Sequence, residues 1–155
     1  AVLGSLYAKH VLQIAEPRLG LLNIGSEPEK GNLVSQAAYS LFKDSSKINF
    51  NGNIEGYDVF TGESDVLVCD GFVGNILLKT AESLYKIFGR KLGDDEYIKK
   101  FDYQYYGATP ILGINKPVLI GHGVSSPRAF VSMIKQAVDI VQSGLVEKVK
   151  STFEP

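Results

Sequence analysis

The residues of this sequence that are best suited to chemistry lie in short polar segments rich in glycine, each placed directly after an apolar stretch. These segments are residues 25–32, 53–56, 70–75 and 122–126. Backbone N–H groups at the start of a helix bind anions, and glycine lets a phosphate group approach them closely. Lys30 and Lys79 add positive charge. The pattern indicates a site for a phosphate-sized anion, and glycines that only make tight turns are the alternative for any single segment.

Two titratable residues in these segments are candidates for a chemical role. His122 lies between Gly121 and Gly123, whose flexibility would leave a structural ring underpacked. Its imidazole can donate a hydrogen bond to phosphate or to an oxyanion, although a satisfied structural histidine is the alternative. Asp70 ends an apolar stretch and can either cap the next helix or orient a neighbouring donor. The sequence leaves both alternatives open.

The single cysteine, Cys69, is predicted to be a core residue. Apolar surroundings and the neighbouring acid would raise its thiol pKa, which disfavours a nucleophile. One cysteine can form neither an internal disulfide nor a cysteine-based metal cluster, so a reducing cytoplasm is the default setting. Because no metal cage, Ser-His-Asp arrangement or nucleotide-binding glycine signature is found, we expect no metal ion and no cofactor.

Alternating strands and helices are predicted to position the polar segments. Strands are predicted at residues 19–24, 48–54, 66–69 and 118–120. Helices are predicted at residues 1–14, 33–42, 96–101 and 145–152. Another helix is predicted to follow residue 75 and to lose its pattern near 89–95, and one more to run from the Ser126-Pro127 cap to residue 141. Residues 102–113 are predicted to form a connection rich in tyrosine and glycine. This alternation predicts a parallel sheet with helices on both faces, and the polar segments should converge on one crevice at its carboxyl edge.

Composition limits the class of protein. The 155 residues are enough for one domain with a proper core. Sixteen basic and seventeen acidic residues leave no overall charge with which to bind nucleic acid. No apolar run approaches the roughly 18 residues of a membrane span. Since the chain starts within a helical pattern and without methionine, we expect a fragment or a processed chain that lacks the first part of its sheet.

At these segments the sequence resembles the acyl-acyl-carrier-protein:phosphate acyltransferases of bacterial fatty acid and phospholipid synthesis. The matching stretches are Gly4-Ser5-Leu6-Tyr7-Ala8, Leu21-Leu22-Asn23-Ile24-Gly25 with Lys30-Gly31-Asn32, Gly52-Asn53-Ile54-Glu55-Gly56, Asp70-Gly71-Phe72-Val73-Gly74-Asn75 with Leu78-Lys79-Thr80, Tyr106-Gly107 with Pro110, and Gly121-His122-Gly123. The resemblance makes residues 1–155 the C-terminal part of a single phosphate acyltransferase domain. A more distant likeness is to phosphotransacetylases, through Gly74-Asn75 and Lys79. Both families imply an α/β fold of three αβα layers with a mainly parallel sheet, similar to isocitrate and isopropylmalate dehydrogenases.

The resemblance implies transfer of a long-chain acyl group from acyl carrier protein to inorganic phosphate, which forms acyl phosphate for phospholipid synthesis. It also implies a cytoplasmic homodimer that associates peripherally with the membrane or with a membrane acyltransferase. Residues 81–100 depart from the family, because this segment is short and rich in charge where many relatives carry a longer apolar excursion. That departure argues against membrane docking through this segment.

The reaction needs little acid-base help, since phosphate is already anionic and a thiol with a pKa of about 8.5 leaves readily. The protein must supply positioning and a donor for the developing oxyanion. The catalytic candidates are His122, Asn75, Lys79 and Asp70. The candidates for binding phosphate or substrate are Lys30, Gly31, Asn32, Asn53, Glu55, Gly71, Phe72, Gly74, Gly123 and Ser125. In this hypothesis the amides of residues 71–75, with Lys79 or Lys30, hold phosphate, and His122 or Asn75 steadies the carbonyl oxygen.

Three other functions remain open. The first is a short-chain enzyme of the phosphotransacetylase type that uses acyl-coenzyme A. The second is a dehydrogenase of the isocitrate type, which would need a cluster of aspartates to bind a divalent metal. The third is a non-catalytic domain that binds a phosphorylated ligand, or a partner through Tyr97, Tyr103, Tyr105 and Tyr106.

Overall fold

A computed structural model describes residues 1–92, 96–99 and 101–154. The chain divides into two compact units, Ala1–Asp70 and Gly71–Pro155. It is mixed α/β and contains a parallel three-stranded sheet. These features confirm the predicted fold class and are consistent with three α/β/α layers.

The first unit contains the parallel sheet. Its elements are α1 (Val2–His10), β1 (Arg18–Leu22), α2 (Leu33–Lys43), β2 (Asn49–Ile54) and β3 (Val66–Val68). The strand order is β2-β1-β3, with both pairings parallel. The central strand β1 is the core of this sheet, because Leu19 and Leu21 are buried there and Ile54 of β2 is buried beside them.

Helix α1 is shorter than the predicted helix, which was wrong over residues 11–14. Gln13 has a φ of 60°, a left-handed conformation that a continuous right-handed helix does not accommodate. The Gln13 side chain caps the helix end by donating from Nε2 to the His10 carbonyl oxygen at 2.7 Å. The apolar stripe therefore identified the helix but not its end.

Strand β3 ends at Val68, so the prediction of Cys69 as a core residue was wrong. Cys69 follows the strand and is exposed. Partial burial still raises the pKa of its thiol, and the charge of Asp70 raises it further. The predicted direction of the pKa was therefore right, and the thiol is a poor nucleophile at neutral pH.

The second unit is mostly helical. Its elements are α3 (Gly71–Leu92), α4 (Glu96–Lys99), α5 (Tyr103–Tyr106), β4 (Ala108–Ile111), β5 (Val118–Gly121), α6 (Pro127–Gln142) and α7 (Leu145–Phe153). Residues 93–95 and 100, where the predicted helices were expected to end, lie outside the described residues. Helix α6 begins as predicted, with Ser126 as its cap and Pro127 in its first turn.

Strand β5 pairs antiparallel with β4, which the sequence analysis missed within its predicted connection at residues 102–113. Six residues, 112–117, separate the two strands, and Gly113 has a φ of +80° that suits a reversal of the chain. A parallel pairing needs a crossover of a dozen residues or more, which six residues cannot provide. The short connection therefore makes β4 and β5 a two-stranded antiparallel hairpin.

Three of the four tyrosines at residues 97–106 pack edge to face on another aromatic ring. The rings of Tyr105 and Tyr106 are 5.2 Å apart and meet edge to face. Tyr97 packs in the same manner on Phe101, at 5.7 Å. The side chain of Tyr103 lies outside the description. These contacts use ring edges for packing within the unit.

Candidate functional site

The first unit places one of the predicted segments in a loop held by carboxamide side chains. We call residues 25–31 the Lys30 loop. Three carboxamides donate to its backbone carbonyl oxygens: Asn53 Nδ2 to Glu27 at 2.8 Å, Gln36 Nε2 to Glu29 at 2.6 Å and to Gly31 at 3.2 Å, and Asn23 Nδ2 to Lys30 at 3.1 Å. The loop is therefore held from outside, by residues of β2, of α2 and of the end of β1.

The parallel pairing of β1 and β2 explains why two of these amides meet. Leu22 lies opposite Ile54, so the carboxyl ends of both strands lie side by side. Asn23 continues the ladder, donating its backbone N–H to the Ile54 carbonyl at 2.9 Å. Its Nδ2 also donates to Asn53 Oδ1 at 3.0 Å, and Asn53 is only 7% exposed. Buried polar side chains need such partners, and here both are satisfied.

Gly31 and Asn32 have local reasons for their identity. Gly31 has a φ of +88°, and a β-carbon there would collide with the Asn23 side-chain amide. Asn32 caps α2, because its Oδ1 accepts from the Ser35 backbone N–H at 2.9 Å and from the Ser35 hydroxyl at 3.1 Å. The end of the Lys30 loop is thus fixed by glycine geometry and by a helix cap. Substrate binding by these two residues stays a prediction.

The ammonium group of Lys30 has no tight partner among the described residues. Its Nζ lies 3.9 Å from Glu27 Oε1, beyond hydrogen-bond distance, and its side chain is 44% exposed. An anion can therefore compete for this charge at little cost.

Glu55, after β2, accepts a long hydrogen bond of 3.4 Å from the Tyr57 hydroxyl, and the Glu55 charge raises the pKa of Tyr57.

In the second unit, α3 begins at Gly71, so the candidates Gly71, Phe72, Gly74 and Asn75 lie in its first turns. This is the predicted layout of backbone N–H groups at a helix start. Phe72 is 77% exposed and Asn75 is exposed as well. Asp70, exposed, is the last residue of the first unit.

Lys79 differs from Lys30 in its pairing. Its Nζ lies 2.9 Å from Glu82 Oε2 and 3.2 Å from Glu82 Oε1, three residues further along the helix. The carboxylate neutralises much of the charge that an incoming anion would meet. Of the two lysines proposed to hold phosphate, Lys30 is therefore the one whose charge is less neutralised by a neighbouring carboxylate.

Residues 122–126 form a compact turn, which we call the His122 turn. The His122 carbonyl oxygen accepts from the Ser125 backbone N–H at 3.0 Å and from the Ser125 hydroxyl at 2.6 Å. Its ring Nδ1 accepts from the Val124 backbone N–H at 3.4 Å. In a neutral imidazole this long contact favours the tautomer that carries its proton on Nε2, the nitrogen that can then donate a hydrogen bond. A β-carbon at Gly123 would meet open space.

The His122 turn is anchored by the start of α6. Ser126 Oγ accepts from the Ala129 backbone N–H at 3.3 Å, and the same hydroxyl donates to Gln104 Oε1. Ala129 is fully buried, and Gly107 packs directly against its carbonyl. A β-carbon at Gly107 would lie 2.6 Å from that oxygen, which requires glycine at this position. The start of α6, which follows the turn, is therefore fixed by a helix cap and by close packing against Gly107.

A family model described as "Fatty acid synthesis protein" matches residues 1–148 of this chain. The chain belongs to that family. Proteins named phosphate acyltransferase are among its relatives. Those of Desulforamulus reducens and Halothermothrix orenii are 43% and 41% identical over alignments of 172 residues, which cover 99% and 97% of this chain. That of Thermoanaerobacterium thermosaccharolyticum is 38% identical over 173 residues and covers 99% of it.

This family member spans about half the length of the curated relatives it matches, since the alignments cover 51–52% of them. None of the helices in the described residues is both long enough and apolar enough to cross a bilayer. Within residues 1–92, 96–99 and 101–154, no group of three or more His, Cys, Asp or Glu side chains could hold a metal ion.

The structure brings some of the predicted site residues together, and it adds contacts that the sequence did not indicate. Lys30, Gly31 and Asn53 are brought together within the first unit, as their segments predicted. Asn23 and Gln36 were missed, although Asn23 is the polar residue that ends an apolar strand. The crevice predicted to gather all four segments involves both units and stays a prediction.

Proposed function

We propose that the protein containing this chain transfers a long-chain acyl group from acyl carrier protein to inorganic phosphate, forming acyl phosphate for phospholipid synthesis. Support for the reaction class comes from the family and from relatives named phosphate acyltransferase. The structural observation that carries the proposal is Lys30, a loosely paired cation on a loop whose carbonyl oxygens are engaged by amide donors. Such a loop favours a phosphate anion, because positive charge is available and the carbonyl dipoles are compensated.

In the proposed reaction, a phosphate oxygen attacks the carbonyl carbon of the acyl thioester. A C–O bond forms while the carbonyl electron pair moves onto oxygen, which becomes an oxyanion. Collapse of this intermediate breaks the C–S bond, and the electron pair leaves with sulfur. The proton released from hydrogen phosphate completes the carrier-protein thiol. No oxidant, reductant or cofactor enters this balance.

The residues have separate tasks in this proposal. Lys30 holds phosphate by charge, and the backbone N–H groups at the start of α3 are further anion donors. The Nε2 proton of His122 is the donor for the oxyanion, a contact that strengthens as negative charge develops. Asn75 is a second candidate for that donor. Lys79, already paired with Glu82, contributes less charge than Lys30.

The proposed partners follow from the same reaction. Acyl carrier protein delivers the thioester, and inorganic phosphate is the acceptor. We also propose that the protein is a cytoplasmic homodimer that associates peripherally with the membrane or with a membrane acyltransferase.

The test is phosphate-dependent release of carrier-protein thiol from palmitoyl acyl carrier protein. A full-length protein containing this chain and residues 1–155 alone are assayed side by side. Release by the full-length protein supports the proposal, and comparison with 1–155 tells whether the other half is needed. No release by a folded full-length protein contradicts it. Faster release from acetyl-coenzyme A would favour the short-chain alternative, and phosphate binding without any turnover would favour a binding domain.

A further inference from the structure

The Lys30 loop is held through its backbone rather than through its side chains. Four of its carbonyl oxygens, those of Glu27, Glu29, Lys30 and Gly31, accept from carboxamide nitrogens. A carbonyl oxygen carries a partial negative charge that repels phosphate. Engaging these oxygens with N–H donors compensates that charge and fixes the loop at the same time.

Gln36 donates to two carbonyl oxygens of the loop. Its Nε2 reaches the carbonyls of Glu29 and Gly31, one on each side of Lys30. Gln36 itself is held at the start of α2, where its backbone N–H donates to the Asn32 carbonyl at 3.0 Å. The side chain is partly buried, so its position is set by the helix. Gln36 therefore determines where the backbone of Lys30 lies.

Asn23 completes the support from the strand side. It donates to the carbonyl of Lys30 itself, and its Oδ1 accepts from the Ile24 backbone N–H at 2.9 Å. Among the described residues Lys30 has no close ion pair to hold its ammonium group, so its placement depends on these backbone contacts. A long flexible side chain is placed accurately only when its backbone is fixed.

We propose that Gln36 and Asn23 are positioning residues for phosphate, which act by holding the backbone of Lys30. This inference rests on the proposed function, because it assumes that Lys30 binds phosphate. Neither residue needs to touch the substrate. Their loss should raise the KM for phosphate while leaving the KM for acyl carrier protein thioester unchanged.

The experiment compares Gln36→Met with Gln13→Met in a full-length protein that contains this chain. Both substitutions remove an Nε2 donor from a backbone carbonyl at similar distance, 2.6 Å at Gln36 and 2.7 Å at Gln13. Gln13 supports the end of α1 instead of the Lys30 loop. We expect Gln36→Met to raise the phosphate KM roughly five- to tenfold, because one modest hydrogen bond to each of two carbonyls is lost. Gln13→Met should stay within about twofold of the unsubstituted protein.

Amide hydrogen exchange at residues 27 and 29–31 provides a second readout that does not depend on activity, since Pro28 has no amide hydrogen. Faster exchange in Gln36→Met than in Gln13→Met supports the positioning role, and equal exchange with an unchanged phosphate KM overturns it. If Gln36→Met does not fold, Gln36→Asn, which keeps the carboxamide but shortens its reach by one methylene, takes its place. If the unsubstituted protein releases no thiol, the proposed function fails, and the exchange measurement still decides whether Gln36 holds the loop.

Discussion

The Lys30 loop and the His122 turn both display a candidate phosphate or oxyanion contact, yet they are held in different ways. The loop depends on side chains far away in sequence, since Asn53 lies 26 positions from the Glu27 carbonyl that it binds. The three hydrogen bonds described within the turn join residues two or three positions apart. Substitutions at remote positions such as Asn53 should therefore disturb the loop, while the turn should respond mainly to changes within it or at Gln104, which accepts from its Ser126 hydroxyl.

The largest effect is expected for His122→Ala. The carbonyl that accepts from Ser125 belongs to the backbone and remains after this substitution. The turn should keep its shape, while kcat for acyl phosphate formation falls by about 100-fold or more, as for the loss of one oxyanion donor. Stopped assays of acyl phosphate and a thermal melt of the same sample measure the two effects. Undiminished acyl phosphate formation would refute the role of His122.

A pair of glycine substitutions should give the next largest effect. Gly31 and Gly52 have similar positive φ values, 88° and 94°, but only Gly31 faces a neighbour, the Asn23 amide. Gly52→Ala should cost about 1–2 kcal/mol of unfolding free energy through backbone strain alone. Gly31→Ala should cost about 1–3 kcal/mol more, because the new methyl group displaces Asn23.

Urea unfolding of both glycine variants checks this difference. The phosphate KM provides a second comparison, since Gly31→Ala should raise it and Gly52→Ala should not. Equal destabilisation by the two substitutions would mean that the Asn23 contact is not rigid, and the contrast between loop and turn would weaken.

The two lysines test whether charge pairing decides which one holds phosphate. Lys30→Met should raise the phosphate KM about tenfold, as expected when a charge-assisted contact is removed. Lys79→Met should change it about two- to threefold, because Glu82 already offsets the Lys79 charge. Initial rates over a range of phosphate concentrations measure both. The reverse order would move the phosphate site to the start of α3.

The smallest effect is expected at the opposite end of the same strands. Asp65 accepts from Arg18 Nε at 3.0 Å, from Nη2 at 3.0 Å and from the Arg18 backbone N–H at 2.8 Å. These hydrogen bonds from Arg18 hold the pKa of the Asp65 carboxyl below its usual value. Because the folded-state pKa is lowered, the pair stabilises the protein above about pH 4 and is lost as pH falls through the lowered pKa.

In Asp65→Asn the urea midpoint of unfolding should therefore fall less steeply as the pH drops below about 4. The phosphate KM at neutral pH should stay unchanged. This ion pair ties the starts of β1 and β3, whereas the Lys30 loop follows the end of β1. A raised phosphate KM in Asp65→Asn would show that the loop responds to any change in the sheet, and not specifically to its amide donors.

Local features of the sequence were read correctly because their causes are local. The apolar run of β1 and the cap at Ser126 predicted elements that the structure contains. A helix after residue 75 was also predicted, although α3 begins earlier, at Gly71, within the segment that was predicted to be a turn. Each of these depends on residues within a few positions of one another. The α/β class follows from the order of such elements.

The sequence by itself determined the alternation of strands and helices apart from α5 and β4, the near-neutral charge and the family to which the chain is similar. Tertiary structure decided the pairing of β5 with β4, the exposure of Cys69 and the amide contacts of Asn23, Gln36 and Asn53. A periodic pattern reports which face of an element is apolar, but it does not report which distant partner satisfies a polar group. The Lys30 loop is defined by such partners, so its geometry becomes visible only when the strands have paired.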